Sequence, residues 1–130
     1  METEIFESQI IVPASAIDDI NHVNNVQYLQ WVQDIAKEHW EEKTSQKMRD
    51  TYVWVVLSHF IEYYHPAFEG DQITLQTWID HYRGVKSERH TKIINTYTKK
   101  VIVSAKTSWC LLYKETLRPA RITDEIVTLF

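Results

Sequence analysis

A chain of 130 residues that is 44% hydrophobic and 12% aromatic has the length and apolar content for one domain, 1–130, around a single core, and too little for two. Its net charge of −4, with Lys and Arg dispersed apart from Lys99-Lys100, offers no basic stripe for phosphate backbones and disfavours nucleic acid as a partner. No apolar run approaches ~18 residues, the start Met1-Glu2-Thr3-Glu4 is acidic, and Cys110 is the lone cysteine, so the expectations are no leader peptide, no membrane span, no disulfide and a reducing, cytoplasmic location.

In chain order, residues 4–12 read as a weakly alternating strand closed by Pro13. Tyr28, Trp31, Val32, Ile35, Ala36, His39 and Trp40 then recur at spacings of three and four, with Gln27, Gln30, Asp34, Lys37, Glu38, Glu41 and Glu42 between them, which predicts an amphipathic helix over 25–43. Asn24 followed by Gln27 resembles a capping box at its start. After a polar connector the period changes to two. Residues 53–64, 72–81, 87–98 and 101–114 are rich in Val, Ile, Thr, Tyr and Trp, are separated by turns such as those at Pro66 to Gly70 and Gly84, and predict four antiparallel strands. Odd positions carry the apolar side in Ile73-Leu75-Thr77-Ile79 and in Val101-Val103-Ala105-Thr107-Trp109-Leu111, so each strand has one face on a core. Residues 122–129 read as a short terminal helix. Strand, long helix, then four strands is an α+β layout, one sheet wrapped against one helix.

The stretch from Asp18 to Asn25 carries the chemistry. It sets a carboxylate, an imidazole and several side-chain amides immediately ahead of the long helix, where unpaired N–H groups and the positive end of the macrodipole favour developing negative charge. Asp18 is a candidate base or nucleophile, or an Asx-turn residue. His22 offers an imidazole, which exchanges protons near neutral pH, or a fixed hydrogen-bonding group. The backbone N–H groups of Val23, Asn24 and Asn25 are candidates for an oxyanion hole. The Asn24 and Asn25 side chains can orient a carbonyl, and Asn24 also suits a cap. Tyr28, Trp31, Ile35 and Trp40 form a stripe that reads as core, with Tyr28, nearest the helix start, the one expected to touch a ligand. Cys110, between Trp109 and Leu111, reads as a buried inert thiol. The other histidines show no zinc-ligand spacing, so neither a metal nor a cofactor is expected.

Asp18-(x)3-His22-Val23-Asn24-Asn25-(x)2-Tyr28-(x)2-Trp31, taken with Tyr64-His65-Pro66-Ala67-Phe68-Glu69-Gly70-Asp71, Gly84-Val85-Lys86-Ser87 and Leu117-Arg118-Pro119-Ala120-Arg121-Ile122-Thr123, resembles the hotdog-fold acyl thioesterases. The likeness is closest to the 4-hydroxybenzoyl-CoA thioesterase-like branch and the plant-type acyl-carrier-protein (ACP) thioesterases, and it spans nearly the whole chain. The resemblance implies a hotdog fold, a homodimer or homotetramer with shared active sites, and hydrolysis of an acyl-CoA or acyl-ACP thioester. It implies Asp18 as the catalytic carboxylate, with His22 and Asn24 beside it. It also implies that basic residues hold the nucleotide end of coenzyme A, for which Lys86, Ser87 and Arg89 are the foremost candidates, with Arg83, Arg118 and Arg121. Asn21 stands where the benzoyl-CoA type has Gly and the plant type Gln, and Ile20 stands where the plant type has Asn. Because the scaffold also hosts other reactions, hydration or dehydration of an acyl thioester and non-catalytic acyl-CoA binding are the alternatives to hydrolysis.

Overall fold

The computed structural model describes residues 4–130. Strand β1 (Phe6–Ile11) leads through a single 3-10 turn (Ala14–Ala16) and a loop to helix α1 (Asn25–Lys43), the span expected from its periodicity. A short helix α2 (Gln46–Thr51) precedes strands β2 (Tyr52–Tyr63), β3 (Gln72–Arg83), β4 (Lys86–Asn95) and β5 (Val101–Tyr113), and helix α3 (Asp124–Val127) closes the chain. The five strands form one antiparallel sheet in the order β1-β3-β4-β5-β2. This is the α+β hotdog arrangement, one long helix laid on one face of a sheet.

Alternation decides which face is covered. Ile73, Leu75, Thr77 and Ile79 of β3 are buried, as are Ser87, Arg89, Thr91 and Ile93 of β4, while the residues between them are more accessible. Tyr28, Trp31, Val32, Ile35, Ala36 and His39 form the buried side of α1. Each fully buried Ile or Leu in such a layer is worth about 1.5–3 kcal/mol. Register shifts at Val56/Ser58, Ile79/His81 and Ile93/Ile94 interrupt the ladders. Bulges of this kind bend strands and increase twist, which lets a sheet wrap a helix.

The polar connector folds into α2. Ser45 caps it by accepting from the Met48 amide at 3.2 Å, and Arg49 reaches back to the Glu41 carbonyl at 2.9 Å and to that of Thr44, satisfying carbonyls at the end of α1. The terminal helix is shorter than 122–129 because Thr123 caps it and it runs only to Val127.

Two apolar clusters fill the interior. One joins Tyr28, Val32 and Ile35 to Ile73, Leu75, Ile93 and Val103; the other joins Leu111, Ala120, Ile122 and Ile126 to Trp40, Trp54 and Phe130. A polar seam runs between them. Thr77 donates to the His90 carbonyl at 2.9 Å and meets Thr91 at 3.2 Å, and Arg89 Nη1 reaches Thr77 Oγ1 at 3.1 Å and His39 Nδ1 at 2.9 Å. His59 continues the seam, bonded to Thr107 at 2.9 Å and Gln33 at 3.3 Å.

Because a guanidinium only donates, His39 Nδ1 accepts and the ring is neutral with its proton on Nε2. His39 is fully buried, stacked on Phe6 at 4.8 Å and met edge-on by Phe130 at 4.8 Å. Burial, reinforced by the Arg89 and Lys43 charges and opposed by Glu4, lowers its pKa to about 4, and burial lowers that of His59 too. The folded state therefore resists protons that the unfolded chain accepts, so stability declines as pH falls from the ordinary histidine value of 6.5 toward 4. Urea titrations across that window should show the decline in the wild type and a shallower one in His39→Gln, whose amide oxygen can still accept from Arg89. Equal slopes would contradict the assignment.

Candidate active site

Asp18 through His22 form a tight loop closed by a bridge between Ile17 and Val23. The Asp18 amide donates to the His22 carbonyl at 2.9 Å and the Asn21 amide to the Asp18 carbonyl at 3.1 Å. Asn21 takes φ 64°, a left-handed conformation that Asn tolerates better than most other side chains. Asp18 Oδ1 accepts from the Ile20 amide at 3.0 Å. The Asx-turn role is thus real, and it engages one carboxylate oxygen while leaving Oδ2 with no hydrogen bond among the described residues.

The loop is joined to the helix and to the β2–β3 turn through Ala67. Val23 N donates to the Ala67 carbonyl at 2.9 Å, and the Ala67 amide donates to the Tyr28 hydroxyl at 3.1 Å. Asn24 N donates to the Ala16 carbonyl at 2.9 Å, and the Asn24 side chain caps the helix by accepting from Val26 N at 2.9 Å. These bonds correct the expected oxyanion hole. The Val23 and Asn24 N–H groups are already committed to carbonyls, so only the Asn25 amide, first in the helix and without an acceptor among the described residues, stays available from that set.

Asp18, His22, Asn24, Asn25 and Tyr28 line one cavity of about 460 Å³. Its opposite wall is Tyr63, Tyr64 and His65, from the end of β2 and the turn after it. The sequence does not mark that wall as part of the site, since more than forty positions separate it from the Asp18 loop; the signal it offers is the aromatic Tyr63-Tyr64-His65 run at a strand end. The His22 ring meets Phe68 edge-on at 5.2 Å. Tyr28 is 2% exposed, and burial raises its pKa, with smaller contributions from Asp71, Tyr63 and Asp18. Its hydroxyl accepts from Ala67 and keeps its own proton to donate.

Lys86, Ser87 and Arg89 do not join this cavity. On β5 the partner of Tyr63 is Val103 and that of Lys86 is Cys110, seven residues further along, roughly 23 Å of strand. Lys86 is exposed, while Ser87 and Arg89 are buried under α1, so reading Arg89 as a surface group for the nucleotide end of coenzyme A is corrected by its inward-facing position in β4. Arg83, Arg118 and Arg121 are exposed, and Cys110 is buried. Asp80, Glu88 and His90 bring ligand atoms within 4.8 Å of one another, a grouping created by β3–β4 pairing and invisible to linear spacing.

The sequence matches the family of acyl-ACP thioesterase N-terminal domains over residues 3–130. The chain belongs to that family. Thioester hydrolase is accordingly its enzyme class. Comparison with curated proteins finds no match. Among solved structures it is similar to a probable thioesterase of Escherichia coli, at 21% identity and TM-score 0.84, covering 95% of this chain and 94% of that one. A Staphylococcus aureus protein solved in complex with CoA superposes at TM-score 0.86 and 17% identity over 99% of this chain and 83% of that one. An acyl-ACP thioesterase of Bacteroides thetaiotaomicron gives TM-score 0.83 at 20% identity over 95% of this chain, which spans 52% of that longer protein. No described helix is long and apolar enough to cross a membrane.

Tyr28→Phe keeps the buried ring but leaves the Ala67 amide without its acceptor, so denaturant unfolding should show a loss of about 1–3 kcal/mol. Unchanged stability would mean that this bond does not hold the loop.

Proposed function

We propose that the chain hydrolyses an acyl thioester carried on coenzyme A or ACP, giving a carboxylic acid and a free thiol, with Asp18 as general base or nucleophile. The observation that carries the reading is convergence. Asp18, with one carboxylate oxygen that has no hydrogen bond among the described residues, Asn25, whose helix-start N–H has none among them either, and the buried Tyr28 line one cavity of about 460 Å³.

As base, Asp18 takes a proton from water as its oxygen attacks the carbonyl carbon. Negative charge then develops on the carbonyl oxygen, where the Asn25 N–H and the helix N-terminus stabilise it. Collapse breaks the C–S bond, and the thiolate, a good leaving group, takes up the proton that Asp18 holds, directly or by relay through His22. A strong acid is unnecessary, which suits a site whose titratable lining is one carboxylate, Asp18, the imidazoles of His22 and His65, and the phenols of Tyr28, Tyr63 and Tyr64. As nucleophile, Asp18 attacks the carbonyl directly, expels the thiolate and forms an anhydride that water opens. After a single turnover in H₂¹⁸O, label in the Asp18 carboxylate marks the second route.

Family membership and the CoA and acyl-ACP relatives support both carriers. The free edge of β2, with Leu57 and Phe60 exposed at 50% and 61%, supports assembly into a homodimer or homotetramer.

Thiol release from a panel of acyl-CoA and acyl-ACP substrates should proceed with the wild type and fall at least ~100-fold in Asp18→Asn. Undiminished release by that variant would remove Asp18 from the mechanism; acyl-CoA binding without release would favour a binding module, and water addition to a 2-enoyl thioester a hydratase.

A further inference from the structure

Beneath the second half of α1 lies another cavity, of about 440 Å³, which shares no lining residue with the Asp18 cavity. Its walls are aromatic. Trp40 stacks on Phe130 at 5.8 Å and meets Trp54 edge-on at 5.7 Å, and Trp109 and Tyr82 complete the surround.

Arg89 lines this cavity while 6% exposed. A buried guanidinium is strongly penalised without a counter-charge, and it ordinarily finds a carboxylate. Here it does not. Its only bonds among the described residues run from Nη1 to the neutral His39 ring and the Thr77 hydroxyl, leaving Nε and Nη2 with donors to spend. Tyr82 and Trp109 of the same wall carry two further donors, the phenol hydroxyl and the indole N–H, which are sealed from solvent just behind it and lack an acceptor among the described protein groups. Burial pushes the Tyr82 phenol up to about 12, which keeps it protonated and able to donate. Lys37, Arg49 and Lys114 add positive charge at the cavity margin against Asp34 and Glu41.

A site with surplus donors, one buried positive charge and aromatic walls matches a monoanion that accepts on two oxygens and carries an apolar body. We infer that this cavity is a second ligand site, which binds a hydrophobic or aromatic carboxylate with its carboxyl group on Arg89. A phosphate dianion fits less well, because a single buried cation faces it and the walls offer apolar contact. Arg89 to carboxylate is the pairing whose two parallel N–H···O bonds the unused guanidinium edge is shaped to make. The inference does not rest on hydrolysis at Asp18, since it uses none of that cavity's residues.

The test is titration of the purified protein with 1-naphthoate, followed by calorimetry and by emission of the cavity tryptophans, alongside its neutral analogue 1-naphthalenemethanol and inorganic phosphate. Naphthoate should bind at least ~10-fold more tightly than the alcohol or phosphate, the scale of one charge-assisted pair. Arg89→Met should abolish that preference. Tyr82→Phe, which loses a single hydroxyl and preserves the ring, should weaken naphthoate several-fold, so the outcome does not depend on the Arg89 variant folding. Asp18→Asn should bind naphthoate as the wild type does, which separates this site from the hydrolytic one. Equal affinity for acid and alcohol, tighter binding of phosphate, or unchanged naphthoate affinity in both Arg89→Met and Tyr82→Phe would overturn the assignment.

Discussion

The backbone of Ala67 is the joint on which the Asp18 end of the molecule depends. Its carbonyl accepts from Val23 at 2.9 Å and its amide donates to the Tyr28 hydroxyl at 3.1 Å, so one residue, through the two peptide groups that flank it, clamps the Asp18 loop and the first turn of α1 to the β2–β3 turn. Ala67 is fully buried, where neither bond is exchanged for water cheaply. The turn is itself pinned to β1, with Val12 donating to the Asp71 carbonyl and Gly70 to that of Val12, each at 2.9 Å. Asp18, Asn25 and Tyr28 therefore hold their relation as consequences of packing distant in sequence. Such support is what a site needs if its groups are to stand ready for a transition state without reorganising.

A second constraint acts at the other end. The polar seam of His39, Arg89, Thr77, Thr91 and Thr107 divides the interior into two apolar clusters, and it buries a guanidinium that meets no carboxylate among the described residues. Apolar residues of similar volume are often at least as stable as buried charge. Retaining Arg89 there costs stability, and the aromatic cavity it faces is where a compensating anion fits. The two ends share α1 as a common beam, its start cutting off one cavity and its Trp40 region roofing the other.

Much of this was legible in the chain. The three-to-four spacing from Tyr28 to Trp40 gives α1 its observed bounds, because an amphipathic stripe and an Asn cap are both local signals. The alternation in β3 reports its buried face for the same reason. Helix α2 escaped because its stability comes from the Ser45 cap and from Arg49 reaching back to α1 rather than from an apolar stripe. The bulges escaped because they are properties of pairing between strands. Within the site, Asp18, His22 and Asn25 could be picked out from their position before the helix, but the loss of Val23 and Asn24 as free donors could not, since their acceptors at Ala67 and Ala16 are assigned by tertiary folding. Arg89 stood among the candidates for the nucleotide end of coenzyme A, and its burial on the inward side of β4 is a property of strand pairing and helix packing that the residue order does not carry.

We propose that the thioester carbonyl meets the chain at the start of α1. Amide NMR of the wild type titrated with an acyl-CoA thioether, which binds without being cleaved, tests this most directly. The largest shifts should fall on the Asn25 amide and on Tyr63 through His65, with Val23 and Asn24 responding less because their N–H groups stay bonded to carbonyls. Shifts concentrated around Trp40, Arg89 and Trp109, with the Asn25 amide unmoved, would contradict it.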